Sequence, residues 1–374
     1  MTKTTPIQDP WHYPREALAK SYLASFDIGL ESARGIFAKR RMGKTEFLKK
    51  DFIPAAEKSG YLTAYANLWD DKSNPGKVLI TAIAEAIQPQ GLAKLLEKLK
   101  TPLKKVKASA KMSGIAEGSL EAEFKDDESA HATLLLEVLK AFDQQNRKLI
   151  LAVDEAQTLA TKENSDFAHA LRSALDTRKT TVKVIFAGSS ENTLRRMFAR
   201  SSEPFYNWAP LRPFELLGGD FVKDMTLKVN DLSKHPLTLK DAMLAFDELN
   251  STPDFFRRFL TQYLTHAQLG AQDALAVTKA EVFNDKAFMN YWRTLLPADQ
   301  QILKMLAAGV SDLHGKKSRT ELGAALGLGA MTSLSTPQQA IKRLQLDAVL
   351  TRLSHGEYAF EDEAFAQWVR ALEA

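Results

Sequence analysis

Cysteine is absent from the 374 residues of this chain, which excludes disulfide bridges and thiolate metal sites. No apolar run approaches the roughly 20 residues that a membrane-spanning helix requires, so the sequence predicts no span. The first stretch, MTKTTPIQDPWHYPRE, lacks the apolar segment of a signal peptide, and we therefore expect a cytoplasmic protein. These absences leave an ordinary globular protein as the expected class.

A strong excess of charge of either sign is absent as well. The 50 lysines and arginines nearly balance the 46 acidic residues, for a formal net charge of +4. The basic residues are unevenly placed, because residues 39–44 carry four of them and residues 94–111 hold seven lysines and one glutamate. Such patches favour phosphates or nucleic acid. A solvated lysine face is the alternative for residues 94–111.

Alternation of polar and apolar residues is missing from five short apolar runs, which predicts strands that are buried on both faces. They occupy residues 33–38, 61–68, 147–157, 180–190 and 208–216. Helical segments separate them, so we expect an α/β fold with a parallel sheet covered by helices on both sides. Pro210 and Pro213 either place the last strand at an edge or shorten it, because proline cannot donate to a central ladder.

One glycine is missing from the motif that follows the first strand. Residues 35–48 read GIFAKRRMGKTEFL, and the phosphate-binding pattern G-x-x-x-x-G-K-[ST] fits them except that Ala38 replaces the first glycine. Gly43 lets backbone approach a phosphate, Lys44 can reach the outer phosphates, and the Thr45 hydroxyl suits magnesium. Because alanine tolerates positive φ poorly, either the turn at Ala38 differs or binding is weaker. The predicted nucleotide-binding residues are Lys39, Arg40, Arg41, Met42, Gly43, Lys44, Thr45 and Glu46.

Two acidic residues end the third predicted strand, LILAVDEAQ. Ligands of open α/β sheets bind at the carboxyl ends of the strands, so Asp154 and Glu155 are expected to face the Gly-Lys-Thr loop. Asp154 would hold Mg²⁺ together with Thr45, and Glu155 would activate the attacking water. Of the serines that end the next strand, Ser189 suits a sensor of the terminal phosphate and Ser190 a helix cap. The predicted catalytic residues are Lys44, Glu155 and Ser189, acting on ATP.

Residues 104–124, KKVKASAKMSGIAEGSLEAEF, alternate between polar and apolar on both sides of Gly114. Folding the segment at that glycine places lysines opposite glutamates on one face, as for Lys107 and Glu121, and apolar residues on the other. The pattern predicts an antiparallel hairpin inserted into the sheet domain. A structural flap is the favoured interpretation, and an insertion that contacts nucleotide, DNA or a partner is the alternative.

Helical periodicity replaces the strand pattern in the second half of the chain. We expect a P-loop core at residues 1–215, a helical region at residues 216–295 and a third domain at residues 296–374. The third domain has three helices followed by a hairpin with its tip at His355-Gly356, which is the element order of a winged helix.

The third helix of that last domain exposes residues that suit base edges and phosphates in a major groove. The candidate DNA-binding residues are Gln338, Gln339, Lys342 and Arg343. Packing on the core or binding to a protein is the alternative for this module, because acidic residues such as Asp347 and Glu361 would repel DNA on a shared face.

These motifs together resemble the P-loop ATPases of the AAA+/STAND group, in particular the archaeal-type ATPase family, over nearly the whole chain. Two arginines precede Gly-Lys-Thr, DEAQ is similar to the family's second acidic motif, and AGSSENTLRRMFARSSEPFYNWAPLRPFEL is similar to its sensor strand and following segment. The resemblance implies an AAA+-like sheet domain, a lid that includes NSTPDFFRRFL and a winged helix. It also implies that Tyr13 and Arg15, in YPREALAKSYL, lie near the adenine.

The chain departs from the family after PFY, where Asn207-Trp208 stand in place of an arginine. The arginine finger that would reach the phosphate, from this chain or from another subunit, is therefore unassigned. The candidates are Arg195, Arg196, Arg200 and Arg212, with Arg257 or Arg258 as a lid sensor. A surface salt bridge is the alternative role for each of them.

The motifs and the resemblance predict an ATP-binding and ATP-hydrolysing switch that couples its nucleotide state to DNA, to a protein partner or to self-association. Hydrolysis would be slow until an arginine is supplied. Two alternatives stay open. The chain could be a nucleotide-binding scaffold that does not turn over, which Ala38 suggests, or a DNA-binding regulator whose affinity is set by ATP.

Overall fold

The computed structural model describes residues 9–87, 118–189, 191–266, 270–282, 285–347, 349–354 and 356–372. The chain folds as two compact units, Met1–Met225 and Thr226–Ala374. None of the helices in the described part of the chain combines the length and the apolar character that a membrane span needs. The domain boundaries predicted at 215/216 and 295/296 stay predictions.

The first unit alternates helices and strands, as the sequence predicts. Its strands are β1 (Ala33–Phe37), β2 (Leu62–Asn67), β3 (Leu149–Asp154), β4 (Val182–Gly188) and β5 (Leu211–Pro213). Its helices are α1 (Glu16–Asp27), α2 (Lys44–Phe47), α3 (Ile53–Lys58), α4 (Pro75–Ile87), α5 (Gly118–Asp143), α6 (Ser165–Asp176) and α7 (Glu191–Ala199). A helix α8 (Gly219–Leu232) runs across the boundary between the units.

The five strands form one parallel sheet in the order β2-β3-β4-β1-β5. All five predicted strands are confirmed, and β5 lies at an edge as its prolines indicate. The register pairs Phe37 with Gly188 and Asn67 with Asp154, so the carboxyl ends of β1 to β4 finish at one edge. Because β4 lies between β1 and β3, the residue after β4 stands between the Gly-Lys-Thr loop and the acidic pair.

Both faces of the sheet are covered by apolar side chains. In β3 the side chains of Leu149, Leu151 and Val153 pack into one cluster, while Ile150 and Ala152 pack into the cluster on the opposite face. This two-sided burial is why the strands read as continuous apolar runs. It also fixes the edge of the sheet as the place where polar side chains can gather.

The helix that follows the Gly-Lys-Thr motif is not a uniform α-helix. A π-helical segment, Leu48–Phe52, separates α2 from α3, and Pro54 lies at the start of α3. Proline has no N–H and its ring crowds the carbonyl four residues earlier, so a widened turn just before Pro54 relieves the clash. The helix that follows the motif is therefore interrupted just before Pro54.

The predicted hairpin at residues 104–124 is wrong for its second half. From Gly118 onward the chain belongs to α5, and the rest of the predicted hairpin lies outside the described residues. The alternation over these few residues competes with strong helix formers, alanine, leucine, glutamate and lysine. Helical spacing then continues through Leu135, Leu139 and Phe142, which are buried in the core of the sheet domain. The longer periodic pattern determines the element.

The described part of the second unit consists of helices and one hairpin. Its helices are α9 (Leu239–Glu248), α10 (Pro253–Thr265), α11 (Ala271–Val282), α12 (Asp285–Thr294), α13 (Pro297–Ala307), α14 (Lys316–Ala325), α15 (Ser335–Leu346) and α16 (Glu363–Ala371). The antiparallel strands β6 (Leu350–Ser354) and β7 (Glu357–Phe360) follow α15. The three predicted helices and their hairpin are therefore present, with a core that includes Ile302, Leu322 and Leu344.

Candidate nucleotide site

Lys44 is a buried cation at the carboxyl edge of the sheet. Lys44 is the first residue of α2 and is only 5% exposed. Its ammonium donates to the carbonyl oxygens of Ala38 at 2.6 Å and Lys39 at 3.0 Å. Burial lowers the Lys44 pKa, and the nearby carboxylates of Glu155 and Asp154 oppose that shift. An ammonium has three donors, so one is left without a partner in the described part of the chain.

The loop before Lys44 has the alternating backbone of an anion-binding turn. Arg41 has φ 67° and Gly43 has φ 85°, both in the left-handed region, and residues in such alternation direct successive N–H groups toward one point. Ala38 lies outside that region. Of the two alternatives that the sequence left open, the structure favours a turn that does not need glycine at position 38.

Thr45 and Asp154 join the loop to the acidic edge. The Thr45 hydroxyl donates to Asp154 Oδ2 at 2.5 Å, and the Tyr65 hydroxyl donates to the same oxygen at 2.9 Å. Asp154 is 1% exposed. Burial raises the Tyr65 pKa, and the charge of Asp154 raises it further, so this phenol stays protonated at neutral pH.

Glu155 lies beside Asp154 and is held by three hydrogen bonds. Its N–H donates to Asp154 Oδ1 at 3.0 Å, while its Oε2 accepts from Gln157 Nε2 at 2.5 Å and from the Ser189 hydroxyl at 3.0 Å. Its backbone is left-handed, with φ 52°, which is uncommon for a residue other than glycine. The structure therefore brings Glu155 and Ser189 together as the sequence predicted.

The remaining loop residues differ in where their side chains go. Lys39 is exposed and Met42 is buried. The Arg40 guanidinium lies 4.5 Å from the centre of the Trp69 ring, just beyond β2, in a cation–π contact. Glu46 accepts from Lys50 at 2.6 Å, one turn further along the helix. The Glu46 carboxylate thus pairs with Lys50 on the surface of the helix.

The amino-terminal segment that contains Tyr13 and Arg15 docks against the same helix. The backbone N–H of Arg15 donates to the buried Asp51 carboxylate at 2.9 Å, and the Arg15 guanidinium lies 4.6 Å from the ring centre of Phe214. Tyr13 meets Phe221 edge to face at 5.8 Å, and burial raises the Tyr13 pKa. These contacts anchor the segment beside the P-loop helix, and a role near adenine stays a prediction.

The four arginine-finger candidates separate by their contacts. Arg196 is buried and donates to the Ala160 carbonyl at 2.7 Å, and Arg212 pairs at 3.3 Å with Glu31, which precedes β1 at the opposite edge of the sheet. Arg195 lies 5.3 Å from the ring centre of Phe37, the residue just before the loop. Arg200 is exposed. Arg195 thus lies beside the residue that precedes the loop.

The candidate DNA-binding residues of α15 are not equivalent. Gln338, Gln339 and Lys342 are exposed. Arg343 instead makes two hydrogen bonds to the buried Asp299, at 2.6 Å and 3.1 Å, and the contact to Asp299 raises the Arg343 pKa. A guanidinium in this bidentate pair links α15 to α13, so the structure does not favour Arg343 as a reader of bases.

Two residues near the site were missed by sequence reasoning. Gln157 follows Glu155 by two positions in DEAQ, and Tyr65 lies near the carboxyl end of β2, the strand that pairs with β3. The signal for Tyr65 was its place on a strand whose end reaches the acidic edge. Gln157 carried no signal beyond its proximity to Glu155, because its contact depends on the 3₁₀ turn Ala156–Ala160.

Comparison with solved structures shows this fold in other proteins. The chain is similar to a Walker-type ATPase of Pyrococcus abyssi, with 17% identity, 95% of each chain covered and a TM-score of 0.50. It is also similar to the ORC2 protein of Aeropyrum pernix in its ADP form, with 14% identity, 96% of this chain and 93% of that chain covered and a TM-score of 0.51. No protein-family model and no curated protein matches the sequence.

This likeness shows the fold. The chain is an α/β protein with a P-loop NTPase fold of the AAA+ type. At these identities the site cannot be carried over from either neighbour, so its chemistry rests on the contacts of Lys44, Thr45, Asp154, Glu155 and Ser189 described above.

Proposed function

We propose that this chain binds ATP at the carboxyl edge of β1 and β3, hydrolyses it, and uses the nucleotide state as a switch. The observation that carries the proposal is the hydrogen bond of 2.5 Å between Thr45 and Asp154, beside the buried Lys44. A buried ammonium and a buried carboxylate are costly without polar partners. Their convergence at the loop edge of a P-loop fold supports a phosphate and metal site, and the ADP form of the ORC2 neighbour agrees with a nucleotide.

The residues present fit Mg²⁺. The Thr45 hydroxyl and the Asp154 carboxylate both offer oxygen atoms as metal ligands, and they lie within hydrogen-bond distance of each other. Mg²⁺ takes oxygen ligands from one or two protein groups, with phosphates and water as the others. When bound, the ion would neutralise charge that develops on the phosphates. Tyr65 would hold the Asp154 carboxylate in place through its hydrogen bond.

Each remaining residue has a role that its contacts support. The third donor of Lys44 would bind the outer phosphates, with the N–H groups around Gly43 beside it. Glu155 would accept a proton from the attacking water, and the Ser189 hydroxyl would contact the terminal phosphate. Arg195 is our candidate for an arginine that acts within the chain, since it lies beside Phe37 at the start of the loop.

The test separates an ATPase from a scaffold that only binds. Purified protein is incubated with Mg-ATP, phosphate release is followed, and affinity for ADP is measured by calorimetry for the intact protein and for Glu155→Gln. We expect the variant to keep its ADP affinity and to lose about 10²- to 10⁴-fold in rate, the contribution of a positioned general base.

Two outcomes would contradict the proposal. If the intact protein binds ATP but releases phosphate no faster than Glu155→Gln, the chain is a nucleotide-binding scaffold. If neither protein binds ATP or ADP, the P-loop is not functional. The negative φ of Ala38 removes one reason to expect the scaffold, because alanine is compatible with that backbone.

We also propose that the carboxyl-terminal module is a winged helix that transmits the nucleotide state to DNA. Three exposed polar residues of α15 support this proposal, since exposed amides and an ammonium can contact bases and phosphates. They are Gln338, Gln339 and Lys342. A protein partner or a second copy of the chain is the alternative. DNA affinity measured with ATP and with ADP distinguishes them, and no binding in either state would contradict DNA coupling.

A further inference from the structure

Gln157 contacts both Glu155 and Ser189, the two side chains to which we assign roles toward the attacking water and the terminal phosphate. Its side-chain nitrogen donates to Glu155 Oε2 at 2.5 Å and lies 3.3 Å from the Ser189 hydroxyl oxygen. The orientation of this amide is determined by chemistry. Were the amide turned over, its oxygen would face a carboxylate oxygen at the same short distance, which is repulsive. The N–H group of Gln157 must therefore point at Glu155.

The other end of the amide is fitted closely to β4. Gln157 Oε1 is buried and has no hydrogen-bond partner among the described residues. A Cβ atom on Gly188 would collide with it, so the absence of a side chain at that position gives the amide its room. A buried polar atom without a partner costs free energy. The fold accepts that cost at Gln157 while keeping its N–H on Glu155.

We propose that Gln157 is a positioning residue for Glu155. Its amide fixes Oε2 of the carboxylate, so that Oε1 is the oxygen that takes the proton from water. The inference rests on the proposed ATP hydrolysis for its catalytic meaning, but the geometry that it describes can be tested without turnover.

The need for Gln157 follows from the single proton of serine. The Ser189 hydroxyl has one donor, and in the structure that donor is used on Glu155 Oε2. A hydroxyl that turns to donate to a phosphate oxygen can no longer donate to Glu155. Gln157 is the donor that remains on the carboxylate at that moment. Without it, Glu155 would regain rotamer freedom when its orientation matters most.

The first experiment replaces the amide with an apolar side chain of similar length, Gln157→Met. The matched control is Gln145→Met, because Gln145 also donates a side-chain hydrogen bond, at 2.6 Å to the carbonyl of Ile87, but precedes the amino end of β3, opposite the end that carries Asp154. We expect kcat to fall about ten-fold or more in Gln157→Met, as for a misplaced general base, with KM and ADP affinity unchanged. Gln145→Met should keep its kcat.

The second measurement places both changes in one cycle. If Gln157 acts through Glu155, then Gln157→Met should cost nothing further in rate when Glu155 is already glutamine. An equal loss in both backgrounds, or a parallel loss of nucleotide affinity, would show a general structural role and overturn the proposal. Gln157→Asn, which keeps the amide but is one methylene shorter, gives the same test if the methionine variant does not fold.

The third measurement needs no turnover. Crystal structures of the intact protein and of Gln157→Met with Mg²⁺ and a non-hydrolysable ATP analogue, whose terminal phosphate can accept from Ser189, should show the Glu155 carboxylate rotated in the variant. If the intact protein fails to hydrolyse ATP but the rotation is seen, the proposed function fails and the positioning role stands. If the carboxylate keeps its place in the variant, the positioning role is overturned whatever the rate of hydrolysis.

Discussion

The sheet edge and helix α15 both carry predicted functional residues, but the fold treats them differently. At the sheet edge the charged groups are inside the protein, with Lys44 at 5% and Asp154 at 1% exposure. Lys44 donates to loop carbonyls, and Asp154 accepts from the Thr45 hydroxyl. On α15 the residues Gln338, Gln339 and Lys342 face outward. Burial of charge is costly, so it separates a built site from polar residues that merely lie on a surface.

Arg343 shows why the type of residue alone is a weak guide. From the sequence it belongs with Lys342, one position away, as a candidate DNA contact. In the structure its guanidinium is held by the buried Asp299, which lies 44 residues earlier in the chain. Arg343 thus supports the packing of α15 on α13, while the side chain of its neighbour Lys342 is exposed.

The change that would most strongly break this comparison is Lys44→Ala. Because charge-assisted contacts to phosphate in a buried site are strong, we expect ATP affinity to fall about 100-fold. The matched control is Lys39→Ala, an exposed lysine of the same loop, which should change affinity by no more than about threefold. Calorimetry with ATP gives both values. Equal losses in the two variants would mean that general loop charge, and not the buried ammonium, binds the phosphates.

The second prediction concerns the buried carboxylate of α13. Arg343→Ala leaves Asp299, which is 2% exposed, without its guanidinium. We expect the free energy of unfolding to fall by about 1–3 kcal/mol, a range kept low because the Arg343 side chain is partly exposed. Lys342→Ala, one residue away and exposed, should stay within about 0.5 kcal/mol. Chemical denaturation measures both, and equal values would remove the structural role assigned to Arg343.

Much of the fold follows from the sequence because its signals are local and redundant. All five strands could be predicted, since burial on both faces gives continuous apolar runs. The Gly-Lys-Thr loop and the acidic pair could be brought together without coordinates, because parallel strands end at a common edge. Ser189 could be placed there by the same rule.

What could not be predicted depends on contacts between distant residues or on competition between patterns. The short alternation near Gly118 favoured a strand, and the long helical pattern that follows it prevailed. Besides Gly43, the loop residue with a positive φ is Arg41 and not Ala38, and no residue preference indicates this. The hydrogen bond from Gln157 to Glu155 requires the 3₁₀ turn Ala156–Ala160 and the absence of a side chain at Gly188.

The third prediction sharpens the comparison at α15. Lys342→Glu should weaken DNA binding about three- to ten-fold and reduce the slope of log affinity against log salt by about 1, as expected for one lost phosphate contact. The control is Lys20→Glu on α1, an exposed lysine of the sheet unit, which changes the net charge by the same amount. Fluorescence anisotropy over a salt series measures both. The same loss in both variants would indicate attraction to net charge only.

The smallest expected effect belongs to Tyr65, which lies near the sheet edge and whose hydroxyl donates to Asp154. Tyr65→Phe removes one hydrogen bond to the carboxylate that we propose as a metal ligand, so we expect a two- to five-fold weaker affinity for Mg²⁺, within the roughly 1 kcal/mol of such a contact. Tyr206→Phe, at an exposed phenol, is the control. An unchanged magnesium affinity in Tyr65→Phe would show that the Thr45 hydroxyl and the Glu155 N–H are sufficient to orient Asp154.

The same substitution has a pH signature with a definite sign. Burial and Asp154 raise the Tyr65 pKa above its ordinary value of 10.0, so the folded state favours the neutral phenol. Its contribution to stability is then complete below pH 10 and is lost as the pH rises toward the folded-state pKa. The difference in unfolding free energy between the intact protein and Tyr65→Phe should be constant below pH 10 and shrink above it. A difference that grows there would mean that the hydroxyl is not buried against Asp154.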